Sequence, residues 1–281
     1  MILFSKLNFP SERALYGIEG AKLAECSFSG EEDGESALKE ARDVELENCF
    51  MDLRYPLWHD TGVVLVSTEM TEKCRAALWY TNKVDIRSSK LHGIKALREC
   101  ADIRIAGTDI VSPEFGWKCR GIDMKDCTAE SEYLFLMSSD IKWENVRFKG
   151  KYSFQYTQNV RIENSVLDTK DAFWHAKNVY VRNCTVKGEY LAWYSENVTF
   201  ENCLITGTQP FCCCTGLKLI NCRTEGCDLS FEYSDVEADL TGNIVSVKNP
   251  RSGYINADSI GEVILTDDSI YPCGCVVTQR K

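Results

Sequence analysis

Asp171 and Glu189 are the residues whose types and spacing point most directly to chemistry. They stand one position short of a nineteen-residue spacing, and His175 lies between them beside Trp174. If the chain repeats every nineteen residues, Asp171 and Glu189 sit on neighbouring rungs about 4.8 Å apart, and their carboxyl groups fall roughly 5–7 Å from each other. That range overlaps the spacing at which paired carboxylates cleave glycosidic bonds. Two close anions push one pKa up, which leaves one acid and one base. A sugar substrate also needs apolar faces and polar rims. Trp58, Trp79, Trp117, Trp174 and Trp193, with Arg98, Tyr152 and Tyr190, are the candidate binding residues. Asp171, Glu189 and His175 are the candidate catalytic residues.

The repeat that would position them is legible in the chain. VYVRNCTVKG begins at Val179, VTFENCLITG at Val198 and LKLINCRTEG at Leu217. Stepping by nineteen from Val84 gives Ile103, Ile122, Ile141, Val160, Val179, Val198, Leu217 and Val236, all aliphatic. Before Val84 the register continues through Val63 and Val44 with a two-residue insertion. It reaches Ala21 after a longer insertion around Glu31–Gly34. Counting from each aliphatic start, position 2 is again apolar and its neighbours are polar, the alternation of a strand with one buried face. Position 4 carries Asn145, Asn164, Asn183, Asn202 and Asn221, and position 5 carries Cys184, Cys203 and Cys222. Position 7 is apolar, position 9 is often Gly, and position 13 is a Leu/Phe ladder.

Strand, Asn corner, strand, Gly turn and a third short segment predict an all-β, single-stranded, right-handed parallel β-helix of about twelve rungs with a dominant nineteen-residue repeat. A leucine-rich repeat fits less well, because the period is short and the remaining segment reads as strand, not helix. One domain over 1–281 is expected, with an N-terminal cap over 1–20, rungs over 21–246, and the last rung and C-terminal cap over 247–281.

All but one of the tryptophans share position 14, next to the buried ladder at 13. Strand alternation turns them outward, and an exposed aromatic stripe on a protein surface marks a binding face. The competing parity makes them core. Another use of an outward stripe is a homo-oligomer interface, where Trp and Arg are favoured.

Composition narrows the partners. There are 32 Lys+Arg against 42 Asp+Glu, a net charge of −10, which disfavours a nucleic-acid partner. No apolar run is long enough for a membrane span, and the first residues do not read as a signal peptide. Fifteen cysteines without an export signal point to a reducing cytoplasm. Stacked Cys184, Cys203 and Cys222 are expected as free, buried thiols packing as small hydrophobes. No metal or other cofactor is expected: adjacent residues of the Cys212-Cys213-Cys214 run would point to opposite faces.

The stacked Asn-Cys rungs resemble the pectate-lyase-like superfamily of parallel β-helices. KALREC (95–100), SPEFGWK (112–118), EYLAWYSEN (189–197) and GTQPFCCC (207–214) resemble an uncharacterised bacterial family, domain of unknown function 3737. The resemblance covers nearly the whole chain and implies the fold. The wider superfamily contains polysaccharide lyases and hydrolases, but its signature residues are absent here: there is no Asn-Thr-Asp and no Arg-Ile-Lys, and the tandem pair Asp267-Asp268 lies near the end of the chain. The functional expectation is therefore carbohydrate-related: a glycoside hydrolase or lyase acting on a neutral saccharide through the Trp-lined face. The alternative is a non-catalytic saccharide-binding or homo-oligomerisation module.

Overall fold

A computed structural model describes residues 1–30 and 35–280; the insertion around Glu31–Gly34 lies outside the described residues. Among those residues there are 26 β-strands and no helix. Every pairing for which a register is defined is parallel. The chain is a right-handed parallel β-helix of about 14 turns, the hand that parallel crossovers take. By packing it divides into two compact units, Met1–Lys142 and Trp143–Lys281.

In the first unit, strands such as Thr61–Val66, Asn82–Arg87 and Ala101–Ala106 pair rung on rung, with Val63 opposite Val84 and Val84 opposite Ile103. In the second, Gln158–Glu163, Lys177–Arg182 and Glu196–Glu201 do the same, and Val160, Val179 and Val198 form one column. All these aliphatic starts are buried. A shorter ladder of two- to four-residue strands follows the Asn corner, as in Val166–Asp168, Thr185–Lys187 and Leu204–Thr206. The segments over 1–20 and 247–281 also hold paired strands. Ile2–Ser5 pairs with Glu19–Ala24, and Gly274–Gln279 pairs with Ser252–Ala257.

The corners explain the residue pattern. Asn164, Asn183 and Asn202 have φ of 52–53°, a left-handed conformation that Asn tolerates better than most residues. Their side chains join in an amide ladder: Asn183 Nδ2 donates to Asn164 Oδ1 at 3.1 Å, Asn202 to Asn183 at 3.4 Å and Asn221 to Asn202 at 2.8 Å. Gly93 and Gly188 are required for a different reason. A Cβ there would stand 2.1 and 2.2 Å from the carbonyl oxygens of Cys74 and Thr169, too close for any side chain.

The third segment departs from expectation. It is a run of turns with only isolated bridges, such as Trp79 to Arg98 and Arg98 to Trp117. Every second residue is left-handed: φ is 53°, 60° and 54° at Asp171, Phe173 and His175, and 55°, 59° and 57° at Tyr190, Ala192 and Tyr194. That alternation prevents a continuous strand. A second departure lies in the rung before Val236, where pairing slips locally. A strict count puts Ser230 in the Leu/Phe ladder and Phe231 outside it. Phe231 is buried and stacks on Phe211, with ring centroids 5.5 Å apart.

Candidate functional site

The left-handed corner decides which side chains face out. In a strand, positions 14 and 15 would point to opposite sides. Here Trp174 is half-buried on the outer surface, and His175 beside it is exposed. Each outer corner therefore carries two adjacent columns of side chains.

The Trp column is a stack along the rungs. Trp58 lies on Trp79 with centroids 5.2 Å apart and planes 7° from parallel, and Trp174 lies on Trp193 at 5.3 Å and 3°. Arg98 replaces an indole between two others, its guanidinium 5.0 Å from the Trp79 ring and 5.2 Å from that of Trp117. The indole N–H groups are also engaged. Trp79 donates to the Lys95 carbonyl at 3.0 Å, Trp117 to Tyr133 at 2.9 Å, Trp174 to Tyr190 at 2.7 Å and Trp193 to Gln209 at 2.8 Å, and Trp58 donates to Ala76. Much of the ring area is thus covered by neighbouring rungs, and each of these indoles is half-buried. The neighbouring column is built the same way: His175 lies between Tyr156 at 4.8 Å and Tyr194 at 5.1 Å, both near-parallel.

What remains open depends on position 11, whose side chain lies beside the indole of its own rung. Tyr190 packs edge-on against Trp193 at 5.4 Å, and Tyr55 is tilted against Trp58 at 5.0 Å. In the next rung of the first unit the equivalent residue is Ala76, which carries only a methyl group. The result is a groove of about 190 Å³ lined by Tyr55, Trp58, Arg75, Ala76, Trp79, Ile94 and Lys95. Arg75 lies 5.9 Å over the Tyr55 ring, and Lys95 pairs with Glu114 at 3.3 Å. Tyr55, Arg75, Ala76 and Ile94 were missed in the sequence. The two-residue insertion before Val84 displaces Ala76 from a strict count, and only alignment of the position-11 residues reveals the small side chain.

The second unit brings Asp171 and Glu189 to successive rungs, with the Asp171 N–H donating to the Glu189 carbonyl at 3.0 Å. Asp171 is buried, and burial, opposed by Lys170 and aided by Glu189, raises its carboxyl above the ordinary range. Glu189 is exposed and pairs with Lys170 at 2.8 Å. Lys170 also lies 5.4 Å over the Tyr190 ring. Tyr152 is half-buried, its N–H donating to the Lys170 carbonyl at 2.8 Å. Trp174, Trp193, Tyr190 and His175 lie on the same two rungs as Asp171 and Glu189, whereas Trp58, Trp79, Arg98 and Trp117 belong to the first unit. Chemically, the cluster offers a carboxylic acid that holds its proton longer than usual beside a Lys–Glu ion pair.

All fifteen cysteines are free thiols. Their role is more specific than filling space. Position 5 holds Thr68, Ser89, Thr108 and Ser165 on some rungs and Cys49, Cys127, Cys184, Cys203 and Cys222 on others, and these groups bond alike. Ser89 Oγ donates to the Arg87 carbonyl at 2.7 Å and accepts the Thr68 N–H at 3.1 Å. Cys184 Sγ donates to the Arg182 carbonyl at 3.0 Å and accepts the Ser165 N–H at 3.4 Å. Thiols and hydroxyls alternate as the same connector. Among the described residues no group of three or more His, Cys, Asp or Glu side chains is arranged to hold a metal.

Residues 3–278 match the family of proteins of unknown function DUF3737. The chain belongs to this family. No curated protein shows significant similarity to it. Among solved structures, this DUF3737 chain is similar to the periplasmic alginate epimerase AlgG at 10% identity and a TM-score of 0.28, over 94% of this chain and 78% of that one. It is also similar to QnrB1, a plasmid-mediated fluoroquinolone resistance protein, at 12% identity and a TM-score of 0.24, over 78% of this chain and 90% of that one.

Proposed function

We propose that this DUF3737 protein binds a saccharide, one ring of which enters the groove at Ala76. The observation that carries this reading is the gap itself. Ala76 leaves Trp58 and Trp79 lining an open groove between Tyr55 and Lys95. Aromatic carbons meet the C–H groups of a sugar there, while the Tyr55 hydroxyl, Arg75 and Lys95 meet its oxygens. The groove is smaller than the roughly 300 Å³ of the smallest drug-sized sites, so it suits one ring of a longer chain. Stacked, tethered indoles supply a preformed wall, which lowers the ordering cost of binding.

The test is a calorimetric titration against neutral and acidic oligosaccharides. Ala76→Tyr places in the gap the side chain that Tyr55 carries on the preceding rung, at a similar left-handed φ of 49° against 57°. Binding by wild type that disappears in Ala76→Tyr supports the reading. Undiminished binding by a folded Ala76→Tyr protein, or no binding by wild type, overturns it.

The buried Asp171 carboxyl favours a second reading, a glycoside hydrolase in which Asp171 is the acid and Glu189 its partner, with Tyr152, Tyr190, His175 and the nearby indoles holding the sugar. Hydrolysis by wild type that is lost in both Asp171→Asn and Glu189→Gln would establish it.

A further inference from the structure

The thiols of this protein fall into two populations. Twelve are buried, most with Sγ bonded to backbone carbonyls of the rungs. Cys213 is half-buried at the corner, where burial raises its thiol and Tyr194 and Glu232 lie against it. Cys273 and Cys275 differ from all of these. Cys273 is exposed and Cys275 half-buried, and only Gly274 separates them.

The surrounding chain holds the pair together. Gly274–Gln279 is a strand pinned at its start by the Gly274 N–H, which donates to the Arg251 carbonyl at 2.8 Å. Cys273 lies just before that strand, after Pro272, and its Sγ turns back to 3.9 Å from the Cys275 carbonyl oxygen. A disulfide needs Cβ atoms about 4 Å apart, closer than residues two apart in a regular strand. Cys273 lies outside the strand with its Sγ already turned back toward Cys275, and Gly274 between them gives the backbone the freedom to close the bond. Opposite Cys275 on the previous rung is Gly253, which has no side chain.

We infer that Cys273 and Cys275 form a thiol–disulfide exchange site that takes low-molecular-weight disulfides. The Cys273 thiolate attacks one sulfur of the disulfide RSSR, and the first RS⁻ leaves and takes a proton. The Cys275 thiolate then attacks Cys273 Sγ in the mixed disulfide and expels the second RS⁻, which is also protonated. Two protein thiols lose two electrons and two protons, and RSSR becomes two RSH. Exposure makes Cys273 the attacking group. Burial and the neighbouring thiol raise Cys275 to about 11, so it stays protonated while Cys273 attacks, and its nearness to the mixed disulfide offsets its small thiolate fraction in the second step.

The chain offers a clean readout. Cleavage after Arg251 and Arg280 releases residues 252–280, which contain these two cysteines and no others. Full-length protein is incubated with oxidised glutathione, alkylated and digested. The expected peptide escapes alkylation, is about 2 Da lighter than its reduced form and regains both thiols with dithiothreitol. Cys275→Ser should instead stop at the glutathione adduct on Cys273. Two alkylated thiols after oxidation, a wild-type protein that stops at the mixed disulfide, or a bridge from either residue to another cysteine would each overturn the inference.

Discussion

The two units build the same corner positions with different side chains. In the first unit the buried ladder is mostly aliphatic, with Leu38, Leu57, Leu78 and Leu97 before Phe135. In the second it is mostly aromatic, with Phe154, Phe173, Phe211 and Phe231 interrupted by Ala192. Outside, the first unit alternates indoles with Lys39 and Arg98 and opens a groove where Ala76 interrupts the position-11 column. The second covers Trp193 with Tyr190 and sets a buried Asp171 beside a Lys–Glu pair. A solenoid fixes where a column runs but not what it presents. Each unit interrupts its columns in its own place.

Four measurements would break or sharpen that contrast. The largest effect is expected at Phe173, fully buried and stacked on Phe154 with centroids 5.0 Å apart. Phe173→Ala should cost about 3–5 kcal/mol in denaturant unfolding. A cost no greater than that of Leu78→Ala would mean that aromatic stacking adds nothing to the second unit.

Next comes a pH dependence rooted in the first unit. Position 16 holds Thr81, Ser138, Ser195 and Ser234 on other rungs, but Asp60 on one. Asp60 Oδ1 accepts the Ala41 N–H at 2.8 Å, and Oδ2 is buried without a hydrogen-bond partner. Burial, with Glu40 nearby, raises this carboxyl to about 8. The folded state thus keeps a proton that the unfolded chain releases near 3.8. Between those values the unfolded state binds fewer protons, so stability falls as pH rises and levels off above about 8. The total is on the order of a few kcal/mol. Asp60→Thr should flatten the profile; an unchanged slope in urea unfolding from pH 4 to 8 would assign the dependence elsewhere.

Smaller effects follow at the surface. Trp79→Ala and Trp193→Ala should each cost about 1–2 kcal/mol of stability through the lost stack. Only Trp79→Ala should also weaken saccharide binding in calorimetry, and equal loss in both would erase the distinction between the units. The smallest change belongs to Asn183→Ala. It breaks the amide ladder at a left-handed residue, for about 1 kcal/mol in thermal unfolding.

The β-helix was legible because burial repeats. A column such as Val160, Val179 and Val198 writes itself into the sequence at fixed spacing, and Asn at a left-handed corner does the same. The turn segment was less legible, since Tyr, Leu, Phe and His at positions 11, 13 and 15 give no sign of positive φ. Their conformation is imposed by the rungs above and below, not by local preference. The Trp positions could be read; the face-to-face stacking that covers their rings could not, because it depends on side-chain angles. Asp171 and Glu189 were placed on successive rungs, but the ion pair between Lys170 and Glu189 is a choice of rotamers. The groove arises from a small residue displaced by an insertion, where counting is weakest.

The connectors at positions 5 and 16 also have a direction. Thr81 Oγ1 donates to the Leu57 carbonyl and accepts the Asp60 N–H, and Ser234 Oγ donates to the Phe211 carbonyl and accepts the Cys214 N–H. In each case the side chain grips the rung that precedes it in the chain. A rung therefore brings this one fastening to a surface already laid down, while its indole and many of its backbone N–H groups are satisfied only by the rung that follows. During synthesis, when the N-terminal part emerges first, every completed turn offers the carbonyl and N–H groups that the side-chain connector of the next one grips. The polarity of translation and the polarity of these hydrogen bonds coincide.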